Sequence, residues 1–331
     1  MSICIYTSVA LIALVWTPQL QKGVNDFAHL LASGRADEVI EAERKHLLAD
    51  PTDAAAYHVL CRTYAALDSW EQATRTCERA VALNPNNSNY HMWLGRTYAE
   101  RAGHSNFISA MAWAKKAHAE FEKAVELSPL NVPAISDLAE FEIDAPGLLG
   151  GGVVKAAEHA QQLMSLQPAL AHFLRSRIAE KRGNFALAER ELREAIASSD
   201  EPAREWMNLA SFYERRKRYP EMTNAIHEAL AVQGRQTSVL FYAAEILFRT
   251  RQNLSRAAQL LHEYLAGIPE EDVPLFRAHY LLGNVEEKQG QSELAFRHYS
   301  AALEHAHEYA KAREKLRQFE RNKNYTPGRV P

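Results

Sequence analysis

Apolar residues follow a helical spacing along most of the chain. From about residue 54 they recur at positions i, i+3, i+4 and i+7, in pairs of stretches of about a dozen residues each. A turn carrying Gly, Asn or Lys separates the two stretches of a pair, as in KRGNFALAE and KQGQSELAF. The pattern therefore predicts an all-α chain of helix–turn–helix units. Prolines, which cannot continue a helix, end many of the second stretches, at Pro51, Pro85, Pro129, Pro168 and Pro269.

The units repeat about every 34 residues with the same residue types at the same positions. The clearest copies are Tyr57, Leu60, Cys61, Tyr64, Ala73, Cys77, Ala80 and Pro85; His91, Leu94, Gly95, Tyr98, Ala117, Phe121, Ala124 and Pro129; Trp206, Leu209, Ala210, Tyr213, Met222, Ile226 and Ala229; and His279, Leu282, Gly283, Ala295, Tyr299 and Ala302. This pattern resembles the tetratricopeptide repeat (TPR), with its signature W-x-x-L-G-x-x-Y, then A-x-x-x-F, A and P. The resemblance, which extends to uncharacterised bacterial TPR proteins, implies a right-handed α-solenoid with a concave groove and a C-terminal capping helix.

The repeat register divides the chain into consecutive segments. A signal-like apolar segment occupies residues 1–22, and a degenerate first repeat occupies 23–53. Seven units follow at 54–87, 88–131, 132–168, 169–202, 203–236, 237–275 and 276–307. We expect a capping helix over 308–321 and a disordered tail over 322–331.

Two of the units carry insertions between their helices. About ten extra residues fall in unit 88–131 and about five in unit 132–168. We predict that the first insertion extends the second helix, which would run from about Asn106 to Leu127 and be about 15 Å longer than usual. The second insertion would then place its Leu148–Leu149 tip, with Val153 and Val154, over an apolar surface formed by Phe107, Ile108, Met111 and Trp113.

The second insertion, APGLLGGG, invites comparison with phosphate-binding loops. A P-loop requires lysine after its last glycine, but Val153 follows Gly152, and the segment before the loop has a helical pattern rather than that of a strand. The dinucleotide fingerprint G-x-G-x-x-G fails as well. A weaker possibility is an anion site formed by the amides of Gly150, Gly151 and Gly152 with Lys155.

Two cysteines fall at facing positions of one unit. Cys61 replaces the small residue of the first helix, and Cys77 replaces the aromatic residue of the second. They are either two buried thiols or, if the protein is exported, a disulfide. No C-x-x-C pair is present, so neither a zinc site nor a redox motif of that kind is predicted.

Other features argue against catalysis and against nucleic-acid binding. None of the His-Glu pairs has the second histidine of H-E-x-x-H, and no G-x-S-x-G motif occurs. We therefore predict no catalytic residue, no metal and no cofactor. The net charge is −3 and no long basic run is present, which does not favour a nucleic-acid partner.

The N-terminal residues Ile3–Trp16 read ICIYTSVALIALVW and carry no charge. This length suits the apolar part of a secretory signal, but no basic residue precedes it and no A-x-A-like site follows. The segment is cleaved, anchoring, or the product of a mis-chosen start. We expect an exported or cell-envelope protein, with the cytoplasm as the alternative. Membrane contact is expected only through this segment.

The TPR resemblance implies a function in binding rather than in catalysis. First-helix positions that line the concave face of TPR domains map here onto arginines and onto aromatic or methionine side chains, a combination suited to a protein or peptide ligand. A small ligand, such as an acyl chain or an anion, is the alternative. The predicted groove residues are His58, Arg62, Met92, Arg96, Phe173, Arg177, Arg204, Met207, Phe241, Tyr280 and Asn284.

Overall fold

The computed structural model describes residues 27–321, which form α-helices packed as consecutive hairpins. The signal-like segment and the C-terminal tail lie outside the described residues. Within the described part, no helix combines the length and apolarity needed to cross a bilayer. The helices are α1 (27–32), α2 (Ala36–Ala49), α3 (Ala54–Ala66), α4 (Trp70–Leu83), α5 (Ser88–Gly103), α6 (Phe107–Leu127), α7 (Val132–Asp144), a short 3-10 turn (Gly147–Leu149), α8 (Val153–Leu163), α9 (Pro168–Lys181), α10 (Phe185–Ala197), α11 (Ala203–Arg215), α12 (Tyr219–Ala231), α13 (Ser238–Thr250), α14 (Leu254–Ala266), α15 (Leu275–Lys288), α16 (Ser292–Leu303) and α17 (Ala310–Arg321).

Each consecutive pair from α1–α2 to α15–α16 forms one hairpin, and we number these hairpins units 1 to 8. Short polar side chains start several first helices. The Asp53 carboxylate, for example, accepts hydrogen bonds from the backbone amides at the start of α3. Small residues then let the two helices of a unit approach closely. A Cβ atom on Gly95 would lie 2.6 Å from the Phe121 ring, and one on Gly283 would lie 2.7 Å from the Tyr299 ring.

The hairpins stack into an α-solenoid, as the fold prediction stated. Every first helix from α3 to α13 contacts the first helix of the next unit, whereas each second helix packs between its own first helix and the following helix. The first helices therefore form an inner layer and the second helices an outer layer. The inner layer is the concave side, and the predicted groove residues all belong to its helices.

The two ends of the solenoid meet, a feature that the repeat pattern did not predict. Tyr309, between α16 and α17, has its ring 5.0 Å from that of Phe276 in α15. The backbone amide of His307 donates to the Asp37 carboxylate at the start of α2, and Lys311 pairs with Asp68 at 2.8 Å. We call this contact the closing junction. Its buried apolar residues are Phe27, Leu31, Ala36, Val39, Ile40, Leu60, Tyr64, Leu67, Ala73, Phe276, Ala302, Ala306, Tyr309 and Ala312.

The ten-residue insertion lengthens both helices of unit 3. The second helix begins at Phe107, close to the predicted start, and has 21 residues against 14 in α4. The first helix, α5, is also longer, with 16 residues against 13 in α3. The prediction had assigned the whole insertion to the second helix. The extra length is shared because both helices continue as a paired hairpin beyond the edge of the other units.

The prediction that the glycine-rich insertion covers the tip of unit 3 is wrong. Phe107 and Ile108 are 79% and 81% exposed, and Leu148 is itself 69% exposed. The glycine-rich insertion instead contacts α6 near His118, where a Cβ on Gly150 would come within 2.6 Å of the imidazole. His118 lies 11 residues after Phe107, about 16 Å along the helix, so the insertion is too short to reach the tip.

Candidate ligand-binding site

The apolar residues predicted for the groove are mostly occupied in packing. Met92, Met207 and Phe241 are only 5%, 4% and 4% exposed, so they lie between helices rather than on the concave surface. Phe173 packs partly buried against the neighbouring cores. The ring of Tyr280 belongs to the closing junction, 5.6 Å from that of Tyr309.

The polar residues predicted for the groove, other than His58, have partners within the chain. The Asn284 side chain donates to the Tyr280 carbonyl and accepts from the Tyr299 hydroxyl, both at 3.0 Å. The four arginines each pair with a carboxylate from another helix or loop, which holds them in place on the inner layer. The pairs are Arg62 with Glu271, Arg96 with Asp137 (2.6 Å), Arg177 with Asp144 (3.1 Å) and Arg204 with Asp272 (3.5 Å).

Two of these arginines border a cavity of about 470 Å³, which we call the inner cavity. It opens where units 2 and 3 face the loop between α14 and α15. Tryptophans from two helices, arginines from three and acidic side chains meet there. The lining residues are Leu31, Arg62, Ala65, Ala66, Trp70, Trp93, Arg96, Thr97, Glu100, Glu271, Asp272, Pro274 and Arg277.

Arg62 is the most constrained of the charged groups in the inner cavity. Its guanidinium lies 4.7 Å from the ring centre of Phe27 and 5.5 Å from that of Trp93, and its side chain is 20% exposed. One end of the guanidinium binds Glu271, which is 209 residues away in sequence. Its Nε is buried and meets no hydrogen-bond partner among residues 27–321. A buried donor without a partner is costly, so the contacts within the described residues do not fully satisfy Arg62.

Glu271 belongs to the acidic loop, which we define as residues 268–274. Two backbone contacts with Tyr264 hold this loop, since the Tyr264 hydroxyl donates to the Val273 carbonyl and accepts from the Glu270 amide. The Glu270 carboxylate accepts from the backbone amide of Ser238 at 2.8 Å. The loop is therefore fixed on both sides of Glu271, and it presents that carboxylate to the inner cavity.

Sequence reasoning missed the acidic loop and Trp93. The predicted unit 237–275 is five residues longer than the repeat, which is the signal that could have identified an insertion there. Nothing in the local sequence could show that this insertion faces Arg62. Trp93 is the residue directly after the predicted groove residue Met92. Periodicity alone could not show that Trp93 lines the concave side rather than another face of α5.

His58, the remaining predicted groove residue, is partly buried beside Arg62. Its ring lies 4.7 Å from that of Tyr90. Burial, and after it the charge of Arg62, lowers the pKa of His58 to about 3. His58 is therefore neutral at physiological pH, and its Nε2 finds no hydrogen-bond partner in the described part of the chain.

The glycine amides proposed for an anion site are used within the chain. The amides of Gly150, Gly151 and Gly152 donate to backbone carbonyls of residues 147, 146 and 142 at 3.1, 3.2 and 2.7 Å. Lys155 lies 3.9 Å from the Glu122 carboxylate. The amides point inward and the lysine already has a carboxylate neighbour, so the arrangement does not favour an anion.

Cys61 and Cys77 are joined by a disulfide in the structure, with their Cα atoms 5.1 Å apart. That separation lies in the range that disulfides span. Both residues are almost fully buried between α3 and α4. The bond would connect the two helices of unit 2, which contributes to both the inner cavity and the closing junction.

The comparison with protein families agrees with this architecture. Residues 30–96, which span unit 2 and parts of its neighbours, match the family model described as tetratricopeptide repeat. This segment of the chain therefore carries tetratricopeptide-repeat sequence. The same hairpin stacking continues from this TPR segment through unit 8. TPR proteins are generally scaffolds for protein interactions rather than catalysts.

Solved TPR structures resemble the chain only distantly. A thermophilic TPR protein from Thermus thermophilus is 20% identical, with a TM-score of 0.45 over 59% of this chain and 98% of that chain. A TPR protein from Parabacteroides merdae is 16% identical, with a TM-score of 0.42 over 86% and 98%. A chain of the APC/C hetero-tetramer Cut9-Hcn1 is 17% identical, with a TM-score of 0.45. That match covers 77% of this chain and 47% of that chain. No curated protein matches the chain.

Proposed function

We propose that this TPR protein is a non-catalytic scaffold that takes a peptide segment of a partner protein into the inner cavity. The observation that carries the proposal is the convergence of Arg62, Arg96 and Arg277 with Trp70 and Trp93 on one concave surface. Guanidinium groups bind carboxylates or backbone carbonyls, and indole rings supply flat apolar contact area at low entropic cost. These are the properties that a peptide-binding surface needs.

A small anionic ligand is the second candidate. The inner cavity, at about 470 Å³, lies within the size range of small-molecule sites. The three arginines favour a ligand with negative charge and disfavour an unsubstituted acyl chain, since a partly buried guanidinium needs an acceptor. A peptide side chain and a small organic anion would use the same arginines.

Selection from a random peptide library by the purified full chain tests the proposal. Selected peptides should bind the wild type, and the double variant Arg62→Ala with Arg96→Ala should lose most of that binding. The matched control is Arg75→Ala with Arg297→Ala, which removes the same charge from two exposed intrahelical pairs. Equal binding by both double variants would reject the inner cavity as the peptide site. If the selection yields no peptide, but small organic anions bind the wild type and not the double variant Arg62→Ala with Arg96→Ala, the second candidate is favoured.

A further inference from the structure

The inner cavity already holds an acidic group from elsewhere in the chain. Glu271 reaches Arg62 across the concave side, from the loop that precedes the last unit. The other arginines of the cavity have additional partners: Arg96 binds Asp137 at 2.6 Å, and Arg277 Nη1 donates to the Asp272 carbonyl at 3.4 Å. Among the described residues, Glu271 is the only carboxylate within ion-pair distance of Arg62.

The surroundings of Arg62 make a carboxylate partner necessary. Four-fifths of its side chain is shielded from water, and aromatic rings lie against the guanidinium at 4.7 and 5.5 Å. Ring faces attract a cation but supply no lone pairs for its N–H donors. A charged group this buried requires an opposite charge, and Glu271 provides it when no ligand is bound.

Only the Glu271 side chain has to move for a ligand carboxylate to pair with Arg62. The acidic loop is held through Glu270, Asp272 and Val273, not through Glu271. Asp272 accepts from the Tyr242 hydroxyl at 2.8 Å, and Val273 is 1% exposed. The Glu271 side chain is 31% exposed, so it can rotate away from Arg62 toward solvent while the loop backbone stays in place.

We infer that the inner cavity recognises an acidic peptide segment, and that Glu271 is an intramolecular competitor for its carboxylate position on Arg62. This inference rests on the proposed peptide-binding function and adds the chemical class of the ligand and its regulation. The acidic loop displays the chemistry of the expected ligand: the sequence IPEEDV, residues 268–273, carries three carboxylates between apolar residues.

The probe is a fluorescein-labelled peptide with that sequence, compared with the neutral peptide IPQQNV. Binding is measured by fluorescence anisotropy with the full chain. The variants are Glu271→Gln and its matched control Glu293→Gln, whose exposed carboxylate pairs only with Arg297 on the same helix. If Glu271 occupies Arg62 for about nine-tenths of the time, its removal strengthens the binding of the acidic peptide about tenfold, because apparent affinity scales with the fraction of free sites.

The inference predicts this gain for Glu271→Gln, no gain for Glu293→Gln, and loss of the gain when Arg62→Gln is added to Glu271→Gln. Thermal melting of each variant verifies that it is folded. The inference is overturned if Glu271→Gln binds the acidic peptide no better than the wild type, or gains equally for the neutral peptide. If library selection still yields peptides that need Arg62 and Arg96 but no carboxylate, the proposed function stands and the inference alone fails. If the cavity variants change no peptide binding at all, both fail.

Discussion

The junctions between consecutive units and the closing junction hold the same solenoid together in different ways. Between units 5, 6 and 7, successive first helices are linked by equivalent arginine–glutamate pairs whose partners are 35 residues apart. In the closing junction the partners are more than 200 residues apart and differ in kind, as in the ion pair of Arg62 with Glu271 and the hydrogen bond from the His307 backbone amide to the Asp37 carboxylate.

The pair of equivalent arginines in units 2 and 3 shows this difference most directly. Arg62 and Arg96 are 34 residues apart and occupy the same repeat position. Arg96 binds Asp137 in the next first helix, whereas Arg62 binds Glu271 across the concave side. One position therefore serves a local contact in one unit and closes the array in the other.

The largest expected effect comes from breaking the closing junction with Tyr309→Ala. Tyr309 is 2% exposed and contacts both Phe276 and Tyr280, so its truncation should cost about 3–5 kcal/mol in the free energy of unfolding. Hydrogen exchange should accelerate in units 1, 2 and 8 together. Phe212→Ala, at an equally buried site in unit 6, should accelerate exchange mainly in units 5 to 7. Unchanged exchange in α2 and α3 of Tyr309→Ala would show that the ends are not coupled.

Reduction of the disulfide between Cys61 and Cys77 is the next largest perturbation. The bond closes a loop of 16 residues in unit 2, for which the loss of chain entropy in the unfolded state corresponds to about 3 kcal/mol. Chemical denaturation with and without dithiothreitol measures the difference. The variant with Cys61→Ala and Cys77→Ala should not respond to the reductant. A wild type that melts identically under both conditions would indicate free thiols in solution.

Acidification should weaken the region around the closing junction more than the regular units. Burial, followed by the charge of Arg62, lowers the pKa of His58 to about 3 from an ordinary value near 6.5. Between these values the unfolded chain binds a proton that the folded chain does not, so stability falls as pH falls. From pH 6.5 to 4.5, the wild type should lose about 2 kcal/mol more than His58→Phe. The control His227→Gln, at an exposed site in unit 6, should follow the wild type.

The smallest expected effect is the difference in stability loss between removing two arginine–glutamate ion pairs, one in the closing junction and one between regular units. Arg62→Met removes a charge-assisted hydrogen bond of a guanidinium whose side chain is only 20% exposed and should cost about 2 kcal/mol. Arg249→Met removes a half-exposed pair with Glu214 and should cost about 0.5 kcal/mol. Urea denaturation at low and high salt distinguishes them further, because salt screens the exposed pair more strongly. Equal losses that respond equally to salt would remove the distinction between the two kinds of junction.

The sequence by itself determined the helices, their pairing and the order of the units. Residues such as Gly95, Phe121, Gly283 and Tyr299 recur at positions set by contacts within one hairpin, so a repeat of about 34 residues is enough to predict those contacts. The extra length of unit 3 was also evident in the register, although its division between α5 and α6 was not.

Only the tertiary structure decided which concave residues are accessible and where the ends of the array meet. Met92 and Arg96 both fit the groove pattern, yet the first is buried between helices and the second borders the inner cavity. The meeting of Arg62 with Glu271 depends on small rotations between units, summed over the whole array. No local sequence pattern predicts the summed rotation, because each repeat contacts only its neighbours except where the two ends of the array meet.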